Sequence, residues 1–304
     1  MGKTMFERTV RHLVAAMWKR RRFHGLVVFT YHQVTPEFDP RFHLRGDWTS
    51  LSRFEAQLDF IRHYFEVLPL PEAVARWKSN RVRGLQAALT FDDGDISVRD
   101  HIVPTLQRRG LPATFFLNTA YGHGRGYVWY TVTNYLSHAA PEVRARAANG
   151  LLERAGQLRA TDDAEFYDRT RREVEALSPL VDDSRPLFVD PGFLGTLDPQ
   201  QFTVGLHGHE HERHSMMPAA WQRQNIERNM QVLRDLPNYT PLFAIPFGRP
   251  MDWDVTLART AFDLDVDLIT SNGGLNVQRD LQLRRIPADD RSVRDEFERE
   301  IVGW

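Results

Sequence analysis

The 304-residue chain contains no cysteine. Disulfides, thiolate-bound zinc, iron–sulfur clusters and a cysteine nucleophile are therefore excluded. Long apolar runs are missing too. Near the start the longest, residues 13–18, is too short for a membrane span or a signal-peptide core. Neither charge sign is in excess. Against 39 Lys and Arg stand 40 Asp and Glu, so the overall charge gives no reason to expect nucleic acid as a partner. No internal repeat or low-complexity tract is present. What is there suits a folded globular chain: 42% hydrophobic and 26% charged residues leave ample apolar surface to bury.

Charge is nevertheless uneven. In residues 1–25, Lys3, Arg8, Arg11, Lys19, Arg20, Arg21 and Arg22 face only Glu7, a net of +6. Phe6, Val10, Leu13, Val14 and Met17 fall at helical spacing, which predicts a basic amphipathic helix. Such a helix either packs on the domain with its basic face in water or makes peripheral contact with an anionic membrane surface. The expected compartment stays open between cytoplasm and envelope. The oligomeric state is equally open.

Residues 26–304 read as one domain. Short apolar strands are predicted at 26–31, 66–69, 86–91, 113–118, 203–206, 242–246, 265–270 and 283–286. Amphipathic helices lie between them, at 52–64, 97–109, 217–233 and 255–262. Strand–helix alternation argues for parallel βα units, and seven or eight of them suggest an α/β fold closed as a distorted (β/α) barrel. One stretch, about 121–199, breaks the rhythm. Charged helices are expected at 142–158 and 163–177, with a weak strand at 187–189, as a helical insertion on the rim. It is either a solvated decoration or a lid or wall of a pocket. Its aromatic group Tyr127, Trp129 and Tyr130 either anchors it to the core or stacks on a sugar ring.

Three strand ends carry chemistry. Leu89-Thr90-Phe91-Asp92-Asp93-Gly94 ends an apolar strand in two acids and a glycine. Neighbours on a strand point to opposite sides, so both acids reach one site only where the chain leaves the strand. Two carboxylates there suggest one that binds a cation and one that moves a proton, or simply a turn that caps a helix. The run from His207 to His214 holds 4 of the 12 histidines within eight positions. His207 and His211, spaced i,i+4, can present two imidazoles on one side for a divalent metal. The metalloprotease His-Glu-x-x-His pattern is absent. Pro246-Phe247-Gly248 ends a third strand, where a backbone N–H such as that of Phe247 can donate to an oxyanion.

Taken in order, Thr90–Gly94, His207-Gly208-x-x-His211 and Pro246-Phe247-Gly248 resemble the polysaccharide deacetylase family with its NodB homology domain. Pro112–Leu117 and Thr270–Asn276 fit further strands of that family. Tyr31-His32-Gln33-Val34 and Phe54-Glu55-x-Gln57-Leu58 are similar to its exopolysaccharide-associated branch. The resemblance implies a metal-dependent N- or O-deacetylase acting on an acetylated glycan, with N-acetyl favoured. By motif, Asp93, His207 and His211 are the implied ligands, most often of Zn²⁺, with Co²⁺, Ni²⁺ or Mn²⁺ as alternatives. Asp92 is the implied general base. Phe247 is the implied oxyanion donor, and Pro246 and Trp129 are candidate substrate contacts.

Two departures stand out. Many members place an arginine two residues before the motif proline, oriented on the catalytic aspartate; here that residue is Ala244, and Arg249 is a candidate substitute. Many also supply a general-acid histidine late in the chain, whereas no histidine follows His214. His32, at the end of the first strand, is the candidate replacement, because closing a barrel brings first and last strands together. A structural His32 bonded to a loop carbonyl is the alternative. His209 and His214 are expected to support the site or lie at the surface rather than bind metal. Two competing functions remain: a catalytically degenerate carbohydrate-binding or scaffolding homologue, and another metal-dependent amide or ester hydrolase.

Overall fold

A computed structural model describes residues 25–288 apart from 122–124, 148–149, 183, 185, 272–275 and 277–282. The basic helix expected over 1–25 lies outside the described residues, as does most of the turn 271–276. Eleven strands are described: β1 (Gly25–Tyr31), β2 (Gln33–Thr35), β3 (Trp48–Ser50), β4 (Glu66–Val67), β5 (Leu85–Phe91), β6 (Ala113–Leu117), β7 (Phe202–Leu206), β8 (Tyr239–Ala244), β9 (Asp267–Thr270), β10 (Leu283–Arg284) and β11 (Ile286–Pro287). Eight pair in parallel in the order β10-β9-β8-β7-β6-β5-β1-β11, with β4 on the edge of β5 and β2-β3 as a separate ribbon.

Strands β10 and β11 are one segment interrupted at Arg285. Its first half pairs with β9, Leu283 opposite Ile269, and its second half with β1, Phe29 opposite Ile286. That single short segment nearly closes the barrel, as the alternation of strands and helices predicted. Strand ends move by a few residues; the predicted 242–246, for instance, is a strand over Tyr239–Ala244. Two details of the insertion differ from expectation. The helix expected over 142–158 is two, Pro141–Arg144 and Leu151–Gln157, the second entered through Gly150 in the left-handed region (φ 75°). The expected strand 187–189 is an isolated bridge of Phe188 to Asp95: the Leu187 carbonyl accepts from Ile96 and the Val189 N–H donates to Gly94, both in the turn after β5 rather than in a ladder.

Alternation along the strands sorts the core. One set, including Val27, Phe29, Leu89, Phe91 and Phe115, packs outward against Phe54, Leu58, Ile61 and Ile102 of the helices. The other set, Leu26, Val28, Ala88, Phe116, Leu242, Ala244, Ile269 and Leu283, fills the barrel interior, where helix Leu70–Lys78 packs against it through Leu70, Ala73, Val74 and Trp77. Burying each large side chain stabilises by roughly 1.5–3 kcal/mol, which makes this alternation hard to shift. Gly205 belongs to the inner set: a Cβ there would lie 2.5 Å from the Phe116 ring, so its absence lets Phe116 fill the lumen.

The same alternation sets up the site. Above the apolar layer, Thr30 and Thr90 form a buried hydroxyl pair at 3.1 Å. The next inward positions toward the C-terminal ends of these strands are His32 and Asp92.

The insertion between β6 and β7 has its own core, built on Tyr127, Trp129, Tyr135, Leu158, Tyr167 and Val174. Among the described residues, no helix is long and apolar enough to cross a membrane.

Candidate active site

The four motif residues of the first two strand ends converge. After β5 ends at Phe91, Asp93 takes the left-handed conformation (φ 68°) and Gly94 follows (φ 74°). This kink swings Asp93 to the side that Asp92 already faces. Asp93 Oδ1 lies 3.2 Å from His207 Nε2 and 3.3 Å from His211 Nε2. The three ligand atoms lie within 4.8 Å of one another. Asp92 Oδ2 stands 3.8 Å from His207 Nε2 and 4.0 Å from His32 Nε2. A cavity of about 380 Å³ opens on this group, walled by Thr30, His32, Asp47, Tyr130, Arg159, Phe247, Arg249 and Ser271 among others.

His207 Nδ1 donates to the Ala244 carbonyl at 2.6 Å, so Nε2 presents its lone pair to the cavity. The His211 ring is buried, and burial pulls its pKa down to about 3 against the pull of Asp93, so it is neutral. Asp93 sits well below the usual carboxylate range: burial opposes its ionisation, but the facing imidazoles, His211 ahead of His207, take up a proton before the carboxylate does. Its Oδ1 is buried and has no hydrogen-bond partner among the described residues. An ionised carboxylate oxygen facing two imidazole lone pairs lacks any donor between them. A divalent cation supplies what is missing, and one carboxylate with two imidazoles suits zinc-like ions. Tyr130 donates to the other oxygen, Oδ2, at 3.2 Å, which orients the carboxylate.

Asp92 is held by a residue the sequence reading passed over. Arg285, fully buried between β10 and β11, donates to Asp92 through both ends of its fork, at 2.7 and 2.8 Å, and to Ser271 Oγ at 3.0 Å. Burial works against the Asp92 charge, but Arg285, with His207 and His32 beside it, keeps the carboxyl below its ordinary range. Arg249, the candidate substitute, does not serve here: its guanidinium is spent on Asp252, at 2.8 Å, although it reaches the cavity wall. Ala244 is inward-facing and small, and the arginine arrives from the segment two strands along the sheet, beyond β9. The signal was present: two consecutive arginines in an apolar strand force one of them inward, and Leu283 fixes which.

His32 lines the cavity. Burial opposes its protonation, but Asp47, Asp93 and Asp92 together raise its pKa above the ordinary value. Asp47 lies level with it, since Gln33 pairs with Trp48 at the start of the β2-β3 ribbon. Phe247, also in the left-handed region (φ 60°), stands on the cavity wall with its ring 4.6 Å from that of His211. Two expected substrate contacts are placed elsewhere. Trp129 is 3% exposed and packs in the insertion core, and its neighbour Tyr130 faces the cavity instead. Pro246 is buried behind Phe247 and is not on the cavity wall. His209 meets the Thr119 hydroxyl at 2.9 Å, and His214 is enclosed between the Glu212 carbonyl and Asn225; neither joins the triad.

Known proteins resemble the chain in part of its sequence and in its fold. The profile of a family described as polysaccharide deacetylase matches residues 80–155, which include the Asp92-Asp93 turn. No curated protein sequence matches the chain. Among solved structures the fold is similar to the Streptococcus pyogenes deacetylase PplD in complex with acetate, at 15% identity and TM-score 0.60, covering 91% of this chain and 98% of that one. It is also similar to IcaB from Ammonifex degensii, at 19% identity and TM-score 0.56, covering 90% and 95% respectively. The BpsB deacetylase domain from Bordetella bronchiseptica follows at 14% identity and TM-score 0.53, covering 87% and 96%. The profile match thus spans a quarter of the chain and includes the first acidic motif, and the solved structures share its fold.

Proposed function

We propose that this chain is a metal-dependent deacetylase that hydrolyses acetyl groups, N-acetyl first, on a polysaccharide or oligosaccharide. One observation carries the reading: the unpartnered Asp93 Oδ1 and two imidazole Nε2 atoms face one another in a cavity beside a second, arginine-clamped carboxylate. Asp93, His207 and His211 would hold the ion. Bound there, a divalent ion supplies Lewis-acid polarisation of the acetyl carbonyl and lowers the pKa of water.

The chain's own residues do the rest. Asp92 accepts the proton of the attacking water. Arg285 occupies one lone pair on each of its oxygens and keeps it ionised, leaving the others toward the cavity. The Phe247 N–H donates to the carbonyl oxygen as charge gathers on it. His32, protonated through its acidic neighbours, gives a proton to the departing amine or alkoxide. Tyr130 holds Asp93 in register.

The test is acetate release from a panel of acetylated glycans, headed by N-acetylglucosamine oligomers, with and without chelator. Release is expected to require Zn²⁺ or Co²⁺, and Asp92→Asn is expected to keep the ion while losing turnover by roughly 10²–10⁴-fold. A protein that binds the ion but releases no acetate from any acetylated glycan would instead be a carbohydrate-binding homologue. Loss of the ion in Asp92→Asn would mean that the two acids are exchanged.

A further inference from the structure

The two imidazoles of the centre are fixed unequally. His207 has its own ring hydrogen bond to Ala244, and its backbone N–H donates to Asn229 Oδ1 at 3.0 Å. His211 has neither advantage: its Nδ1 is buried with no partner among the described residues. Its ring is therefore aimed by packing against Tyr130 and Phe247 and by the loop that carries it.

That loop is clasped by the insertion. The carboxylate of Glu212, next to His211, is completely buried. Both of its side-chain partners among the described residues come from helix Ala164–Glu175: the Tyr167 hydroxyl donates to Oε2, and Arg171 Nη1 stands 3.5 Å from Oε1. The same Tyr167 oxygen accepts the backbone N–H of Arg213 at 3.2 Å. Arg171, 4% exposed, is itself steadied by Asp168 and Glu175. Arg213, also buried, donates to the carbonyls of Leu158 and Thr161 in the insertion and to Asp252. Apolar packing could bury the same surface without desolvating charges, and buried ion pairs seldom stabilise relative to it. What directional bonds add is a defined position.

We propose that helix Ala164–Glu175, by clasping Glu212 through Tyr167 and Arg171, positions His211 and thereby sets the affinity of the Asp93–His207–His211 centre for its divalent cation. The inference deepens the metal-dependent reading and rests on it. Tyr167 and Arg171 are positioning residues, since neither touches the ion or the substrate. The insertion is thus part of the centre rather than a decoration on the rim.

The experiment measures Co²⁺ and Zn²⁺ dissociation constants by calorimetry, together with the visible absorption of the Co²⁺ form and thermal unfolding in chelator. Tyr167→Phe removes two bonds and no charge. It is expected to weaken both ions at least about tenfold and to alter the Co²⁺ bands, with the metal-free melting temperature nearly unchanged. Arg171→Met alone would leave the buried Glu212 carboxyl without its cationic neighbour and endanger folding, so it is paired with Glu212→Gln. That double variant is expected to show the same loss, and Arg171→Lys an intermediate one. Arg154→Gln, which breaks the exposed pair with Glu173 on the same helix, is the control and is expected to bind like the wild type. Wild-type affinity and an unchanged Co²⁺ spectrum in both Tyr167→Phe and the double variant would overturn the proposal while leaving the functional reading intact. A wild-type protein that binds neither ion would overturn both.

Discussion

The barrel side and the insertion side of the cavity are built by different means. On the barrel side, Asp92, His207 and Arg285 sit at strand ends whose alternation fixes each direction and bond other strand ends, and the kink after β5 turns Asp93 to join them. On the insertion side, Tyr130 and the Glu212 clasp come from helices with a separate core, and they meet the barrel through a few directional bonds. The difference teaches that reaction chemistry is delegated to the rigid periodic part. Fine adjustment of geometry is delegated to the part that carries no period of its own.

Four experiments probe this division. The largest effect is expected from Asp93→Ala on the barrel side. Loss of one of three ligands removes Lewis-acid assistance worth several kcal/mol, so acetate release falls on the order of 10³-fold, with bound metal lost in parallel by elemental analysis. Retained metal at wild-type stoichiometry would place the centre elsewhere.

Next comes Arg285→Met. The Asp92 carboxylate is left in the lumen without its counter-charge, which costs about 3–5 kcal/mol in chemical denaturation. Turnover falls with it, and Arg285→Lys recovers only part, because one ammonium cannot reproduce a two-pronged contact. An unchanged denaturation midpoint would sever the link between closure of the barrel and the acid.

The third concerns pH. His214, buried where the histidine loop meets helix Ala219–Leu233, is neutral in the folded protein, its pKa lowered from 6.5 to about 4, chiefly by burial. A depressed folded pKa means the unfolded chain takes up the proton first. Its contribution is fully present above about pH 6.5 and drains away as pH falls to about 4, amounting to roughly 3 kcal/mol. His214→Gln should flatten that part of the stability curve measured by urea titration. A variant curve parallel to the wild type across this window would remove His214 as the cause.

The smallest effect is expected on the insertion side. Tyr130→Phe removes one hydrogen bond to Asp93 but keeps the ring against His211, so kcat/KM should fall by about tenfold or less, in keeping with a bond to a charged group. A loss as large as that of Asp93→Ala would erase the distinction between the two sides.

How much was legible follows the same line. The convergence of Asp92, Asp93, His207 and His211 could be read because each lies where an apolar strand stops, and in a parallel barrel all such stops share one face. Arg285 was missed for want of pairing information. Its strand lies 193 positions from Asp92, and only closure of the sheet makes them neighbours. The insertion gave the least. Its helices were recognisable by composition, but nothing in their spacing says that Tyr130 turns to the cavity while Trp129 turns to the core, since that depends on how the helix docks.

The clamp on Asp92 has a wider implication. A search for the clamp by position alone, two residues before the third motif, finds only Ala244, whereas the cation that meets Asp92 comes from a strand two places along the sheet.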